Sequence, residues 1–392
     1  MKPAWLSPWL KRPMPLFVYS HFAHDLAPAL LVPMLPFIRA TFGLSYFQSG
    51  MLISTYSITS GFSQLLMGWI ADRVDRRYMI VVGVGGVGAF TFLVGLTQNL
   101  TELFIFFLGM GVLAGIYHPT ATSIFPRYFT PDRRGRAISF HLIGGSAGFM
   151  ASPLLGGLIA ATYGWRSSYT LLAIPAMLAI PFLIREARHP ETRVNAAPVP
   201  VTAATPSVMR AMRPILFVFA LAVVIQLLVG SVVSFLPVYW VDNYAIAPAA
   251  AASLIGLERG GRVLGSLLGG AASDRWGQKQ GILISVIAAG PLILLIILLP
   301  FNGLLIAALA LFGVVVAMRQ PAMQSLIVDT IPEHRTSTLL GVYFFLALEG
   351  RSLLVPLLGY LMDISSVSTV IWYLAAAAAA LSIISFFLRK KA

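Results

Sequence analysis

Apolar residues run through this chain in long stretches separated by short polar gaps, a rhythm that predicts twelve membrane-spanning helices. A helix rising 1.5 Å per residue needs about 20 apolar residues to cross a hydrocarbon core. Such stretches lie at 15–40, 46–71, 78–97, 101–126, 136–161, 168–184, 215–240, 249–271, 280–300, 303–328, 337–361 and 368–388. The sixth is short for a full span, and its start can reach back towards Gly164. Runs of this length lack the period-two alternation of a lipid-facing strand, so helices rather than a closed barrel satisfy the backbone. The expected fold is all-α and integral to the membrane. Two pseudo-symmetric six-helix bundles, 1–184 and 215–392, flank a cytoplasmic connector at 185–214 that is rich in Pro, Ala, Thr and Arg.

The two halves share a pattern in a polar gap. Gly68, Asp72, Arg73, Arg76 and Arg77 form its first copy, and Gly270, Asp274, Arg275 and Lys279 stand 202 positions later in a weaker second copy. The same offset relates Pro119 to Pro321, and a nearly equal one relates Pro153 to Pro356. An internally duplicated bundle of this size points to a transporter.

Composition agrees: 58% of residues are hydrophobic, only 10% are charged, and mean hydropathy is +0.85, which excludes a soluble globular domain. The net charge of +13 is a topology signal rather than a nucleic-acid footprint. Of the 27 Lys and Arg, 21 fall in the termini and the even-to-odd helix connections, which assigns that side to the cytoplasm. No cysteine is present, so a disulfide framework and a cysteine-based metal site are excluded. The first span reads as a retained signal anchor, and the short loops suit a bacterial inner membrane. With both halves in one chain, a monomer is expected; no nucleic-acid partner and no cofactor are expected.

The loop between spans 2 and 3 resembles the signature loop of the major facilitator superfamily, and its second copy lies where that family repeats it. Asp75 departs from the family pattern, which has Gly there; the second copy keeps Gly277. The resemblance implies a loop that latches one conformation through Gly68, Asp72, Arg73, Arg76, Arg77, Asp274 and Arg275. On physical grounds the carboxylate favours a helix N-terminus and the arginines can pair with carboxylates or lipid phosphate. A pure topology determinant is the alternative. Span 5 carries Gly144, Gly145, Gly148, Ser152, Pro153, Gly156 and Gly157, a spacing that permits close helix approach with a bend. It is similar to the antiporter motif of the superfamily's exporters, with Ser152 in place of a Gly. The sets His21, His24, Asp25 and Gly115, Tyr117, His118, Pro119 resemble the fosmidomycin-resistance branch, whose members export phosphonate-type antibiotics.

Ionisable groups inside the predicted spans are the candidate chemistry. A charge at the bilayer centre costs about 2.5–3.5 kcal/mol on insertion scales, so such a residue faces the bundle interior or a wet cavity. On span 1, His21, His24 and Asp25 follow helical spacing, with Asp25 roughly 15 Å into the span by helical rise. Burial and a neighbouring imidazolium act on a carboxyl in opposite directions, a combination suited to loading and releasing protons. Asp25 is the preferred proton carrier, with Glu349 next; Glu258 is a further acidic candidate and His21 a partner. The second half places Arg259, Arg262, Arg319 and Arg351 against Glu258 and Glu349. That excess of positive charge suits an anionic substrate held by paired guanidinium donors, with Tyr117, His118 and His24 as further contacts. Structural ion pairing is the bland alternative. A divalent metal transported through His21, His24 and Asp25 is a second one, completed by His118 and His141 only if the fold brings them close. The expected function is proton-coupled export of small organic anions or drugs by alternating access, with anion uptake as the alternative; no enzyme motif occurs.

Overall fold

A computed structural model describes residues 13–70, 74–128, 131–188, 213, 215–330, 343, 345–346 and 350–388. The helices are α1 (Met14–Leu26), α2 (Leu31–Phe42), α3 (Tyr46–Ile70), α4 (Arg76–Leu96), α5 (Leu100–Tyr128), α6 (Pro131–Tyr163) and α7 (Trp165–Ala187). They continue as α8 (Leu216–Tyr244), α9 (Pro248–Trp276), α10 (Gln278–Leu298), α11 (Gly303–Thr330), α12 (Val355–Ile364) and α13 (Val367–Leu388). Nine helical segments among the described residues are long and apolar enough to cross a membrane. Two more, α3 and α9, reach 25 and 29 residues but carry more polar side chains. No strand occurs among the described residues.

Three spans differ from the pattern read in the sequence. The first is α1 and α2 joined by a 3-10 turn at Pro28–Leu30, where proline lacks the N–H that would continue the helix. The sixth is a full 23-residue helix starting at Trp165, because Gly164 takes φ +84° and lets the chain turn directly into it. The eleventh is not one continuous helix: Gly350–Leu353 is a 3-10 turn, and α12 begins only at Val355, with Pro356 in its first turn. Arg351 therefore sits in that turn. Most of the predicted connector, with Asp72, Arg73 and Glu349, lies outside the described residues.

The chain resolves into two compact units. One comprises Met1–Leu44, Met51–Ala197 and Ala247–Gly256; the other comprises Ser45–Gly50, Pro198–Ile246 and Leu257–Ala392. In the first, α4 packs on α5 and α7 while α6 lies along α1. In the second, α10 packs on α11 and α13, and α8 packs on the same α10–α13 pair. Glycines set the closest approaches. Gly261, Gly265 and Gly269 of α9, each one helical turn apart, lie against the backbone of Ala310, Val314 and Met318 of α11. A Cβ at any of them would overlap main chain, which cannot yield as a flexible side chain can.

The two copies of the loop pattern end differently. Gly277 caps α10 at φ +89°, a conformation that suits glycine. Asp75 caps α4 at φ −64° and ψ 109°, and its carboxylate accepts from the Arg77 backbone N–H at 3.1 Å. The same carboxylate takes the Arg77 guanidinium at 3.0 Å from Nε and 2.6 Å from Nη2. Asp75 thus replaces the turn freedom of glycine with a side-chain cap. Gly68 and Asp274 lie in the closing turns of α3 and α9, and Arg275 is exposed at the end of α9. We predict that Asp75→Ala destabilises the protein by about 1 kcal/mol through loss of the N-cap, read as a lower melting temperature in detergent; an unchanged melt would remove the cap from the account.

Candidate functional site

The first unit gathers six titratable side chains at the C-terminal half of α1. Helical spacing puts Ser20, His21 and Asp25 on the side of α1 that meets α5 and α6, and His24 flanks them. Across from them α5 contributes Tyr117 and His118, and α6 contributes His141. Asp25 is 4% exposed, His21 3% and His24 1%. Gly145 of α6 makes room: a Cβ there would stand 2.5 Å from His21 Nε2 and 2.6 Å from Asp25 Oδ2. Gly144 and Gly148 rest on the backbone at Val18 and Phe22, and Gly156 on Leu30, so these small residues lie along the first span. Gly157 lies against Ala249 and Ala252 of α9, and Pro153, inside α6, lies near Gly256.

The hydrogen bonds constrain the proton on His21 Nδ1 and require another between His21 and Asp25. His21 Nδ1 lies 2.9 Å from the carbonyl oxygen of His141, which can only accept, so Nδ1 carries a hydrogen. Its other nitrogen, Nε2, lies 3.1 Å from Asp25 Oδ2. Two lone pairs do not face each other at that distance, so one proton lies between them, on the imidazole or on the carboxyl. His24 Nδ1 meets the other oxygen, Oδ1, at 2.7 Å, and His118 Nε2 stands 3.6 Å from it. Rings complete the enclosure: His141 stacks on His21 with centroids 4.1 Å apart, and Tyr117 stacks on His24 at 4.5 Å. The Tyr117 hydroxyl pairs with Ser20 Oγ at 3.0 Å, and Tyr117 is fully buried in the wall of the cluster. His24 Nε2 is buried with no hydrogen-bond partner.

The metal-ligand set envisaged from the sequence comes together in part. His21, Asp25 and His118 each offer one ligand atom within 4.8 Å of the others. The contacts of 2.7 and 3.1 Å to Asp25 are hydrogen-bond distances, which hold a proton between the paired atoms.

The second unit holds the arginines. Glu258 is fully buried on α9, and its Oε1 accepts from Arg262 Nε at 2.6 Å. Arg259 also turns towards it, with Nε 3.6 Å from Oε2. A single helical step does not keep the two apart, because the long arginine side chain curls back. One carboxylate thus serves two guanidinium groups. Arg319 on α11 is buried and donates through Nη2 to the amide oxygen of Gln226 on α8. The Arg319 guanidinium also lies close enough to Tyr343 to interact with its hydroxyl. Arg351 lies over Gly230, one turn beyond Gln226 on α8.

Gln226, Tyr343 and Ser20 carry no role in the sequence pattern, and Gly145 stands there only as part of a packing motif. Gln226 carries a signal in hindsight, being the only amide or charged residue between Leu216 and Trp240. Ser20 and Tyr343 give none, since a serine or a tyrosine in a membrane span is common.

Comparison with known proteins assigns the family. The model of the Major Facilitator Superfamily matches residues 17–347 and 260–392. An uncharacterized MFS-type transporter, YfnC of Bacillus subtilis (strain 168), is 27% identical over 88% of this chain and 84% of its own. The fosmidomycin resistance protein of Escherichia coli (strain K12) is 23% identical over 90% of this chain and 86% of its own. The multidrug resistance protein MdtG of Rahnella sp. (strain Y9602) is 26% identical over 78% and 76%. Among solved structures, a bacterial homolog of the human lysosomal transporter Spinster superposes with TM-score 0.78 at 17% identity, covering 96% of each chain. A POT family transporter superposes with TM-score 0.79 at 15% identity, covering 97% of this chain and 96% of that one. The chain belongs to the Major Facilitator Superfamily; it is a multi-pass membrane transporter and not an enzyme.

The Gly145 contact gives a prediction about the proton. Gly145→Ala pushes a methyl group against His21 Nε2 and Asp25 Oδ2 and so separates them. The infrared carboxyl band that disappears in Asp25→Asn is expected to shift in Gly145→Ala; a band at the wild-type position would show that the pair does not depend on this close approach.

Proposed function

We propose that this major facilitator protein is a proton-coupled exporter of small organic anions, with the proton shared by His21 and Asp25 as the coupling ion. The observation that carries the reading is the contact of His21 Nε2 with Asp25 Oδ2, made while Nδ1 is committed to a carbonyl. That geometry binds one exchangeable proton between two buried side chains. The carboxyl can give it up only when its surroundings change, which is what coupling to a conformational cycle requires. Glu258 is the lesser candidate, because Arg262 and Arg259 already occupy its carboxyl group.

Substrate binds to the arginines of the C-terminal unit: Arg259, Arg262, Arg319 and Arg351, with Tyr117, His118 and His24 bordering the proton site in the other unit. Their common sign selects anions, and guanidinium forks suit carboxylate and phosphonate oxygens. The resemblance to the fosmidomycin resistance protein supports a phosphonate drug as the first substrate to try. Alternating access through two six-helix bundles, 1–184 and 215–392, exposes that site to one side at a time. Residues Gly68, Asp72, Arg73, Arg76, Arg77, Asp274 and Arg275 stabilise one closure, and Gly148, Pro153, Gly156 and Gly157 let the helices slide or rock at close range. Both termini and the connector lie in the cytoplasm of a bacterial cell, following the positive-inside distribution, and a single chain is the working unit.

Proton-linked uptake of an anion is the second reading, and one physical observation favours it. A carboxylate and an anion repel, so charge alone would load proton and substrate together. Direction of transport separates the two.

In acid-loaded everted vesicles containing the protein, fosmidomycin is expected to raise the internal pH. Asp25→Asn keeps the geometry, since an amide can donate to His21 Nε2, but holds no exchangeable proton. That variant is expected to insert and melt like the wild type while pH movement falls to the level of empty vesicles. Wild-type proton movement in Asp25→Asn would remove Asp25 from the coupling role.

A further inference from the structure

The arginines of the second unit differ in how their charge is balanced. Arg262 and Arg259 share the carboxylate of Glu258. Arg319 does not among the described residues: its partners there are an amide, Gln226, and a phenol, Tyr343. Both are neutral. Arg319 is 4% exposed, and its Nη1 is buried with no hydrogen-bond partner. A guanidinium buried without a countercharge is costly, and one left with an unused donor is costlier still. Such an arrangement persists in a membrane bundle where the missing partner arrives from outside.

The amide is placed to do this. Gln226 lies on α8 in an otherwise apolar stretch and is itself 6% exposed. Its Oε1 accepts from Arg319, while its Nε2 and the Arg351 Nη1 both stand 3.6 Å from the point where a Cβ on Gly230 would be. Gln226 therefore touches one guanidinium and lies near a second, whose side chain rests over the bare backbone at Gly230, its Cδ 3.1 Å from where a Cβ would be. A glutamate has the same length as glutamine and would satisfy Arg319 better, with a charge-assisted bond. It would also cancel the charge.

We propose that Gln226 is a specificity-determining residue that holds Arg319 in place without neutralising it, so that the free arm of the guanidinium takes an oxygen of an anionic substrate. This rests on the reading of the arginine cluster as an anion site and adds which arginine anchors the anion and what keeps it available. The ligand chemistry is an oxyanion, carboxylate or phosphonate.

The test compares isosteres in the full-length protein in nanodiscs. Binding of methylphosphonate, benzoate and fosmidomycin is measured by calorimetry for the wild type, Gln226→Glu and Gln226→Met, alongside melting temperature. Gln226→Glu is expected to melt at or above the wild-type temperature yet bind the anions about 10- to 100-fold more weakly, the worth of one charge-assisted hydrogen bond. Gln226→Met keeps the charge but loses the hold and is expected to weaken binding by a smaller factor. A purely structural hydrogen bond predicts the reverse: Gln226→Glu binds like the wild type and Gln226→Met melts lower. Wild-type affinity in Gln226→Glu overturns this inference alone. A wild-type protein that binds none of the three anions overturns the anion reading and this inference with it.

Discussion

Everything in this protein that bears on function follows from the cost of holding charge inside a membrane bundle. Hydrocarbon supplies no partner for an ion, so each buried ionisable group must be matched by protein or by a mobile species. The two units meet that demand in opposite ways. Around Asp25 the match is overcomplete, with His21, His24 and His118 crowded on one carboxyl. Around Arg319 it is incomplete among the described residues, with neutral partners and an unused donor. On the proposed function, one unit keeps a proton and the other takes an anion.

That division constrains the mechanism. Exchange of a proton for an anion cannot be driven by attraction between them, because a bare Asp25 and an anionic substrate repel. Antiport requires that the two exclude each other through conformation: the closure that grips the anion must be the one in which Asp25 releases its proton. Glycines make small movements of this kind possible. The strip Gly144, Gly145 and Gly148 lies on the first span with no side chains between, so a slight shift of α6 along α1 changes the space around His21 and Asp25 directly. In the second unit, Gly313 lies against the backbone of Glu258, so α11 and the Glu258–Arg262 pair cannot move independently.

Much of this was legible in the sequence, for definite reasons. Long apolar runs admit one solution in lipid, so twelve spans could be placed without any template. The i, i+3, i+4 spacing of His21, His24 and Asp25 put them together on α1, and the Glu258–Arg262 pair followed from the same rule. Breaks within spans were harder. Pro28 and Pro356 do not say whether a helix bends or stops, and the turn at Gly350–Leu353 moved Arg351 off the helix expected for it. Contacts between distant helices were beyond reach: nothing in the sequence joins Gln226 to Arg319, 93 positions away. Asp75 is the instructive departure, since a broken family pattern turned out to be a working helix cap.

The most direct test is proton release on substrate binding. Purified protein in a weakly buffered detergent solution is mixed with fosmidomycin while a pH indicator follows the bulk. The account predicts that the wild type releases protons, and that Asp25→Asn binds the drug but releases none. Proton uptake by the wild type would contradict exchange and point to symport; release that persists in Asp25→Asn would place the coupling proton elsewhere.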